Sequence, residues 1–547
     1  MQKIHGKHIV LWLLVCGAVI ISFAYTPSPH TPINYQSHFA ILPHFGIQPA
    51  IIDDAYQDIF KNYTLSGKSL QIVLISPDHF SEWKTTIKHT IIDHDMCFQN
   101  ICLPIHDIYS SDHEDINNSR TKEHGRWAHF SFIKKYFPDA KVSLVRLSPR
   151  NFIALDILYT QLHQLEKNDN LLVIASVDFS HYISEKRAYL HDLKSYYTLA
   201  NSPTQSAYKS IEVDCPTCLY LVNTRANNEQ QYPQLFYRDS SSRIVHKDLD
   251  NENTSREFIL YTPRKSQENG IVLWFFGDLM FDRWVKLKLN TTEKIQNHFQ
   301  SRYQQNTTWL DPKNNIHRLW FGLDILWYNL ETPFVNSTCI RKTNGINMCS
   351  SWAVLWILQS LGFTTVTIAN NHMRDDGYAW YMQTINNLQT YAIDYAGWTH
   401  FKGINKNIVL TKNIRGIPLA LHAYDLYNRF SGDVDGYCSD LITYKHQWYT
   451  NIVSIHRWTE YQTIHNRLQE NIGKQLVDCW ADIIIGHHPH VIQDIQRYKG
   501  KPIIYSLWNF LFDQYFSEDT KKGMYILVHI PLSWTIEIRT GWISATP

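Results

Sequence analysis

A chain of 547 residues outgrows a single hydrophobic core, because such cores stop growing near ~250–300 residues, so at least two folded units are expected. Hydrophobic residues at 44% against 18% charged exclude a disordered chain. The 51 Lys and Arg nearly cancel the 50 Asp and Glu, and the net charge of +1 gives nucleic acid no electrostatic foothold.

In chain order, Lys3 and Lys7 precede the uncharged stretch 9–24. It is longer than a usual signal-peptide core and just short of the roughly 20 residues that span a bilayer. Residues 1–24 are therefore expected to be a cleaved signal or a signal-anchor helix contacting the membrane through 9–24. Either way the bulk of the chain, membrane-anchored or secreted, lies outside the cytoplasm. Residues 25–37 are polar and Pro-containing and read as a linker.

From residue 38 the expected class is α/β. The runs 70–75 (LQIVLI), 141–147 (KVSLVRL) and 171–176 (LLVIAS) are short, aliphatic and closed by polar loops, as buried parallel strands are. Polar landmarks follow several of them: His44 in LPHFG, His79 in SPDHF, Asp178 and His181 in SVDFSHY, with His124 and Cys215 between and after. One His at a strand end is more often a hydrogen-bonded residue than a ligand. Cys215 and Cys218 form a disulfide, a redox pair or neither. The close pairs Cys97/Cys102 and Cys339/Cys349 can oxidise in an exported chain, while the nine Cys lack the doubled CxxC spacing of structural zinc.

These residues also make a pattern. Residues 38–262, with PHFG, SPDH, EHGRWAHFSFIKKYFPDAKV and ASVDFSHY, resemble the MEMO family, which includes the AmmeMemoRadiSam system protein B of bacteria. The resemblance implies a fold similar to extradiol-type dioxygenases and a metal or vestigial site of two His and a Cys. Carried over, that site is His44, His79 and Cys215, holding one Fe, Cu or Zn, with His124, Asp178 and His181 lining the cleft. Gly125-Arg126-Trp127 stands where the family has Ser-Ile-Glu, so an acidic group is missing.

Residues 226–265 turn polar, and a boundary linker at 263–269 is expected. A second α/β pattern, 270–547, opens with 271–276 (IVLWFF). It continues with runs at 365–369, 408–410, 452–455, 483–485 and 503–505, and a helix is expected over 460–480. Asp278 follows the first run; Asn329 and Glu331 lie in YNLETP; Asn370, Asn371 and His372 in IANNHMRDDG; His456 in VSIHRW; His487, His488 and His490 in IIIGHHPHV. Ligands bind beyond the carboxyl ends of strands in open α/β sheets, and this O/N donor set suits Mn, Fe, Zn or Mg. A lone GD or NNH is an ordinary turn, but three His within GHHPH are costly if buried without partners.

The series GDLMFDR, NLETP, LGFTTVTIANNHMRDDG, SIHRW, ADIIIGHHPHVIQ and KPIIYSLWNFLFD resembles the CapA family of poly-γ-glutamate capsule biosynthesis proteins. That family is similar in fold to calcineurin-like metallophosphoesterases, whose α/β sandwich carries two metal ions. The resemblance implies two divalent ions (Mn, Fe or Zn) held by Asp278, Glu331, Asn371, His456, His488 and His490, with Glu331 as the bridging carboxylate. His487 is an alternative to His488. His372 falls where a histidine protonates a leaving group or holds phosphate, and Asn329, Asn370 and His487 support the ligands. Arg457 interrupts the family's H-W-G, and Trp508 replaces a Gly. Two functions follow as expectations. One is a metal-dependent hydrolase acting on a cell-surface anionic polymer or phosphoester. The other is a non-catalytic polymer-binding or assembly factor working with other capsule-synthesis proteins.

Overall fold

The computed structural model describes residues 38–44, 49–62, 70–78, 87–89, 95–98, 101–104, 124–152, 155–168, 170–202, 204–247, 249, 253–291, 293–295, 297–298, 322–336, 339, 347–360, 363–375, 377–401, 404–426, 434–533 and 535–546. The expected membrane segment 9–24, the linker 25–37 and His79 lie outside them. Among the described residues no helix is long and apolar enough to cross a membrane.

The first half supplies nine strands: β1 (Phe39–Leu42), β2 (Leu70–Pro77), β3 (Ile87–His89), β4 (Asp95–Phe98), β5 (Ile101–Pro104), β6 (Lys141–Leu147), β7 (Asn170–Ser176), β8 (Tyr232–Ser240) and β9 (Ser255–Thr262). Seven of them form one sheet in the order β3-β6-β2-β7-β1-β9-β8, while β4 and β5 make a hairpin in which Cys97 faces Cys102 in register. The four central strands β6, β2, β7 and β1 are parallel, which is why they are aliphatic throughout.

Helices cover both faces. α1 (Pro49–Asn62) and α2 (His124–Tyr136) pack together through the stacked rings of Tyr56 and Phe132. Leu158 and Leu162 of α3 (Leu155–Asn168) share a buried cluster with Val73, Val173 and Val222. Next come α4 (Glu185–Asn201), the single turn α5 (Gln205–Tyr208), α6 (Pro216–Asn228), which carries Val222, and the short α7 (Ser241–Ile244).

The second half builds two more sheets. The first uses β10 (Gly270–Leu279), β11 (Ile325–Leu330), β14 (Thr365–Thr367), β15 (Asp394–Phe401), β16 (Ile404–Ile408), β24 (Lys522–Pro531) and β25 (Glu537–Ser544). Their order is β16-β15-β14-β11-β10-β24-β25, and β23 (Asn509–Leu511) pairs with the end of β10. The second sheet runs β17-β18-β19-β20-β22-β21, from Leu410–Ile414, Ile417–Asp425, Thr450–His456, Ile483–His487, Lys501–Ile504 and Ile495–Tyr498 in that spatial order. The two-residue strands β12 (Phe334–Val335) and β13 (Ser350–Ser351) pair beside them.

Side chains alternate across a strand, and β10 uses both of its faces. Ile271, Leu273 and Phe275 meet Leu419, Leu421, Ile452 and Ile485 of the facing sheet. Val272, Trp274 and Phe276 instead pack under α9 (Ala353–Ser360) and α10 (Tyr378–Thr390). The outer face of the other sheet is covered by α11 (Asp435–His446) and α12 (Arg467–Asp478). The layers are helix, sheet, sheet, helix.

Two expectations change. The helix expected over 460–480 begins only at Arg467, where Asn466 accepts from the N–H groups of Leu468 and Gln469 and the Gln469 side chain accepts from Asn466. That reciprocal cap ends the helix and leaves 460–466 as a loop. The run 408–410 is a junction: β16 ends at Ile408, and β17 starts at Leu410 in the other sheet. Residues 263–269 carry no strand or helix, yet they do not swing free, because Asn201 donates to the Glu268 carbonyl and Tyr196 meets Ser266.

The two halves are joined along α4, and residues 35–547 form one compact unit. Leu190 enters the core beside Val272 and Trp274, Lys194 donates to the Leu323 carbonyl at 2.7 Å, and the Tyr197 hydroxyl meets His529 at 2.9 Å. Helix α4 therefore buries Arg187, His191, Asp192 and Lys194, which a helix against one sheet alone would leave in water.

Candidate metal centre

The strand ends of the second half converge. β10, β11, β14, β19 and β20 are parallel neighbours within their sheets, so Asp278, Glu331, Asn371, His456 and His487 all emerge at carboxyl ends. Two glycines permit the close approach. A Cβ on Gly277 would sit 1.6 Å from the Trp508 carbonyl, and one on Gly486 would sit 2.0 Å from that of Tyr505.

Asn329 ties the centre together. Its Nδ2 lies 2.9 Å from Asp278 Oδ1, 3.3 Å from Glu331 Oε1 and 3.1 Å from His456 Nδ1. Its Oδ1 accepts from Asn370 Nδ2 at 3.0 Å, and Asn370 also donates to the Leu330 carbonyl. His456 Nε2 points the other way, 2.8 Å from Asn371 Oδ1 and 3.5 Å from Glu331 Oε1. His487 Nδ1 meets Asp278 Oδ1 at 3.0 Å, while the His488 N–H donates to Asp278 Oδ2.

Potential ligand atoms fall into two groups, each within 4.8 Å of one another: Asp278, Glu331 and His456, then Glu460, His488 and His490. The His456 and His488 rings are 4.8 Å apart, so the groups are neighbours. The carboxylate reaching both is Asp278, whose Oδ2 lies 3.6 Å from His490 Nδ1. Glu331, expected to bridge, lies with Asp278 and His456 in the first group. Asn509, unassigned from the sequence, holds His490 Nδ1 at 2.8 Å.

Glu460, expected on a helix, instead lies in the loop before it, 3.9 Å from His488 Nε2. His372 stands at the edge, its Nδ1 held 2.9 Å from Asp375.

The donor set fits divalent cations. Asp278 and Glu331 are fully buried, and Glu331 Oε2 has no hydrogen-bond partner among the described residues, an arrangement that costs heavily without a cation. Burial, then the charge of Asp278, holds the Glu331 carboxyl well above its usual range. Burial pushes Asp278 up too, but hydrogen bonding and charge from His487, then the charges of His456 and His490, outweigh it and hold that carboxyl far below.

Burial, then the charge of His488, drives His456 well below the ordinary imidazole range; His490 is lowered by burial, and His488 falls to about 3. Neutral imidazoles beside an ionised carboxylate are the protonation states that metal binding needs. His488 and His490 hold φ of 93° and 51°, left-handed backbone that non-glycine residues adopt at a cost of roughly 1–3 kcal/mol each.

The substituted positions are now placed. Trp508 is buried at φ 70°, in the conformation a glycine would take without strain, and its carbonyl accepts from the Asp278 N–H at 2.8 Å. Arg457 is half-buried, and its N–H lies against the His487 carbonyl.

The first half gathers a smaller cluster. β1 and β7 run parallel, so His44 and Asp178 meet just past their ends. His44 donates its N–H to Asp178 Oδ1, and its Nε2 lies 3.3 Å from Asp214 Oδ2 and 3.5 Å from Asp178 Oδ2. Asp214 was not singled out from the sequence; its position just before α6 supplies the second carboxylate. Cys215 caps α6 and is bonded to Cys218, so it is not the thiolate that the expected His/His/Cys set requires. His181 turns to the Phe179 carbonyl at 2.7 Å. His79 and the side chain of His124 lie outside the described residues. Disulfides Cys339–Cys349 and Cys438–Cys479 are also formed; the first was expected as a close pair, the second was not.

Comparison with known proteins finds matches over the half that carries the larger cluster. Residues 272–514 match the family model of the bacterial capsule synthesis protein PGA_cap. The capsule biosynthesis protein CapA of Bacillus anthracis is 28% identical over 291 residues, covering 49% of this chain and 66% of that protein. The PGA biosynthesis protein CapA of Bacillus subtilis (strain 168) is 24% identical over 274 residues, covering 48% of this chain and 68% of that protein. The chain thus spans about two thirds of the length of these curated relatives. A hypothetical protein from Thermus thermophilus aligns in structure over 50% of this chain and 100% of its own, at 12% identity and a TM-score of 0.30, too weak a likeness to bear on the fold. The C-terminal half carries a PGA_cap domain with CapA homologues.

Proposed function

We propose that the C-terminal half is a metal-dependent hydrolase centre of a CapA-type capsule-biosynthesis protein, acting on a phosphoester or on a linkage of an anionic surface polymer. The observation that carries this reading is the fully buried Glu331 carboxylate, with one unpartnered oxygen, set beside Asp278 and three neutral imidazoles. Such a group persists where a cation completes it. Asp278, Glu331 and His456, with Asn371, would hold one ion; His488, His490 and Glu460, with the shared Asp278, would hold the other.

Divalent ions there would supply Lewis-acid activation of water and neutralise charge on the reacting oxygens. The chain's own residues do the rest. Asn329 and Asn370 fix the carboxylates, so no rearrangement is needed when charge develops. Asp375 binds His372 Nδ1, which leaves Nε2 to carry a proton to a departing oxygen. The exposed Glu460 carboxylate marks the open side of the cleft.

The first half is read as a MEMO-like unit with its own cleft, supported by its motifs and by the His44, Asp178 and Asp214 cluster. An exported location is proposed from residues 1–24. The test is turnover of a generic phosphodiester by the full chain with added Mn²⁺. Turnover lost in His490→Ala, with the circular dichroism spectrum retained, is expected. Equal turnover in wild type and His490→Ala would overturn the assignment.

A further inference from the structure

We propose that the apolar rim beside the His488/His490 end of the cleft docks on an anionic lipid bilayer surface. Helix α8 (Arg283–Lys288) follows β10 directly, and Asp513 pins its start through the Arg283 guanidinium and the Trp284 N–H. Beyond Asp513 the chain presents Tyr515 and Phe516, and Lys288 lies 5.7 Å from the centre of the Tyr515 ring. The Phe516 ring packs edge-on against Tyr461 at 5.0 Å, and Tyr461 lies 6.4 Å from the His490 ring. Gln514 donates to the Tyr461 hydroxyl at 3.2 Å, which ties the rim to the cleft without covering it.

The rim is continuous from His490 outward and strongly exposed: Trp284 60%, Leu287 65%, Phe516 66%, Tyr461 42% and Tyr515 38%. Leaving Leu287 and Phe516 in water has no return for the folded chain by itself. Lys286 and Lys288 alternate with these apolar groups on α8. Of the nearby acids, Asp513 pairs with Arg283 and Glu518 with Lys521 at 2.7 Å, while Glu460 stands beside Tyr461 and faces the cleft.

Trp and Tyr at the level of the headgroups, Leu and Phe below them and Lys toward anionic phosphate is the chemistry of an interfacial contact. A sugar face would use the rings but not Leu287, and a soluble polyanion would use the lysines but not Phe516. Docking this way would set the open side of the cleft, marked by Glu460, over a substrate held at the membrane. Only that consequence rests on the hydrolase reading; the docking itself does not.

Hydrogen–deuterium exchange of the full chain tests it, because it locates the contact whatever residues 9–24 do. Vesicles of phosphatidylglycerol and phosphatidylcholine in equal parts should slow exchange in 283–288 and 514–518 by about tenfold relative to phosphatidylcholine alone, as two lysines near an anionic surface allow. Trp284→Ala/Phe516→Ala should abolish the protection. Trp448→Ala, at the opposite end of the sheet and 83% exposed, should leave it intact. No slowing in these segments, equal slowing by soluble poly-glutamate, or slowing that tracks protein concentration without vesicles would each overturn the proposal. His490→Ala should dock normally. Loss of its turnover with docking retained would leave this inference standing, and docking absent in an active wild type would remove it alone.

Discussion

The two clusters of this chain arise from the same device and end differently. In each half, parallel strands deliver His and carboxylate to one sheet edge. In the first half three groups meet and are linked to one another: His44 donates its backbone N–H to Asp178, and Asp178 donates its own to Asp214. The sulfur that a thiolate site would need is tied to Cys218. In the second half two sheets face each other, and donors from five strand ends crowd around Asp278 until one Glu331 oxygen has nothing left to bind. One sheet edge gathers one His and two carboxylates, whereas two facing edges gather two ligand groups side by side. Divalent cations would suit that larger donor set.

Breaking the hub of each cluster should separate them most. Asp278→Ala leaves His487 and the His488 N–H without their acceptor. It should cost the protein about 3–5 kcal/mol in guanidinium denaturation, the summed range for leaving several buried donors without their charged acceptor. A loss under ~1 kcal/mol, within the scatter of surface changes, would show that Asp278 does not hold the second cluster together.

Trp508→Gly comes next. Removing a buried Trp costs about 3–5 kcal/mol, while relief of the left-handed backbone returns roughly 1–2 kcal/mol, so a net loss of about 2–3 kcal/mol is expected. A variant more stable than wild type would mean that backbone strain outweighs the packing of the ring.

The pH dependence of the metal-free chain sharpens the contrast further. The unfolded chain protonates its histidines near pH ~6.5, whereas burial holds His488 unprotonated down to about 3 in the fold. Below pH ~6.5 the unfolded state therefore binds more protons, and stability is lost as pH falls. His488→Gln should lessen that loss by about 1.4 kcal/mol per pH unit across pH 4 to 6. Unchanged slopes in denaturation midpoints would contradict the assigned protonation state. Smallest of all, Asp214→Asn should leave bound metal at the C-terminal centre unchanged and shift stability by about 1 kcal/mol, the value of an ordinary hydrogen bond. A change in metal content on that substitution would erase the distinction between the clusters.

Much of this centre was legible in the sequence because strand-end motifs carry their own context. The apolar run before Asp278 and the one before His487 place both residues, and the GHHPH segment could not be buried without partners. What was hidden has physical reasons. Glu460 was lost to an apparent helix, since the pattern of 460–480 does not reveal that the Asn466/Gln469 cap starts the helix late. That Asp278 also lies 3.6 Å from His490 was hidden, because spacing along a chain does not encode which strand ends meet. Asp214 was overshadowed by its neighbour Cys215. The polar surface buried on α4 was unreadable, because it makes sense only once the second half is packed against it.

Elemental analysis of the full chain after exhaustive dialysis decides whether the Asp278 cluster holds divalent cations. About two transition-metal ions per wild-type chain are predicted, as for two-metal hydrolase sites, with near-complete loss in Asp278→Asn. A folded wild-type chain that retains no metal and takes up none from buffered Mn²⁺ or Zn²⁺ would contradict it.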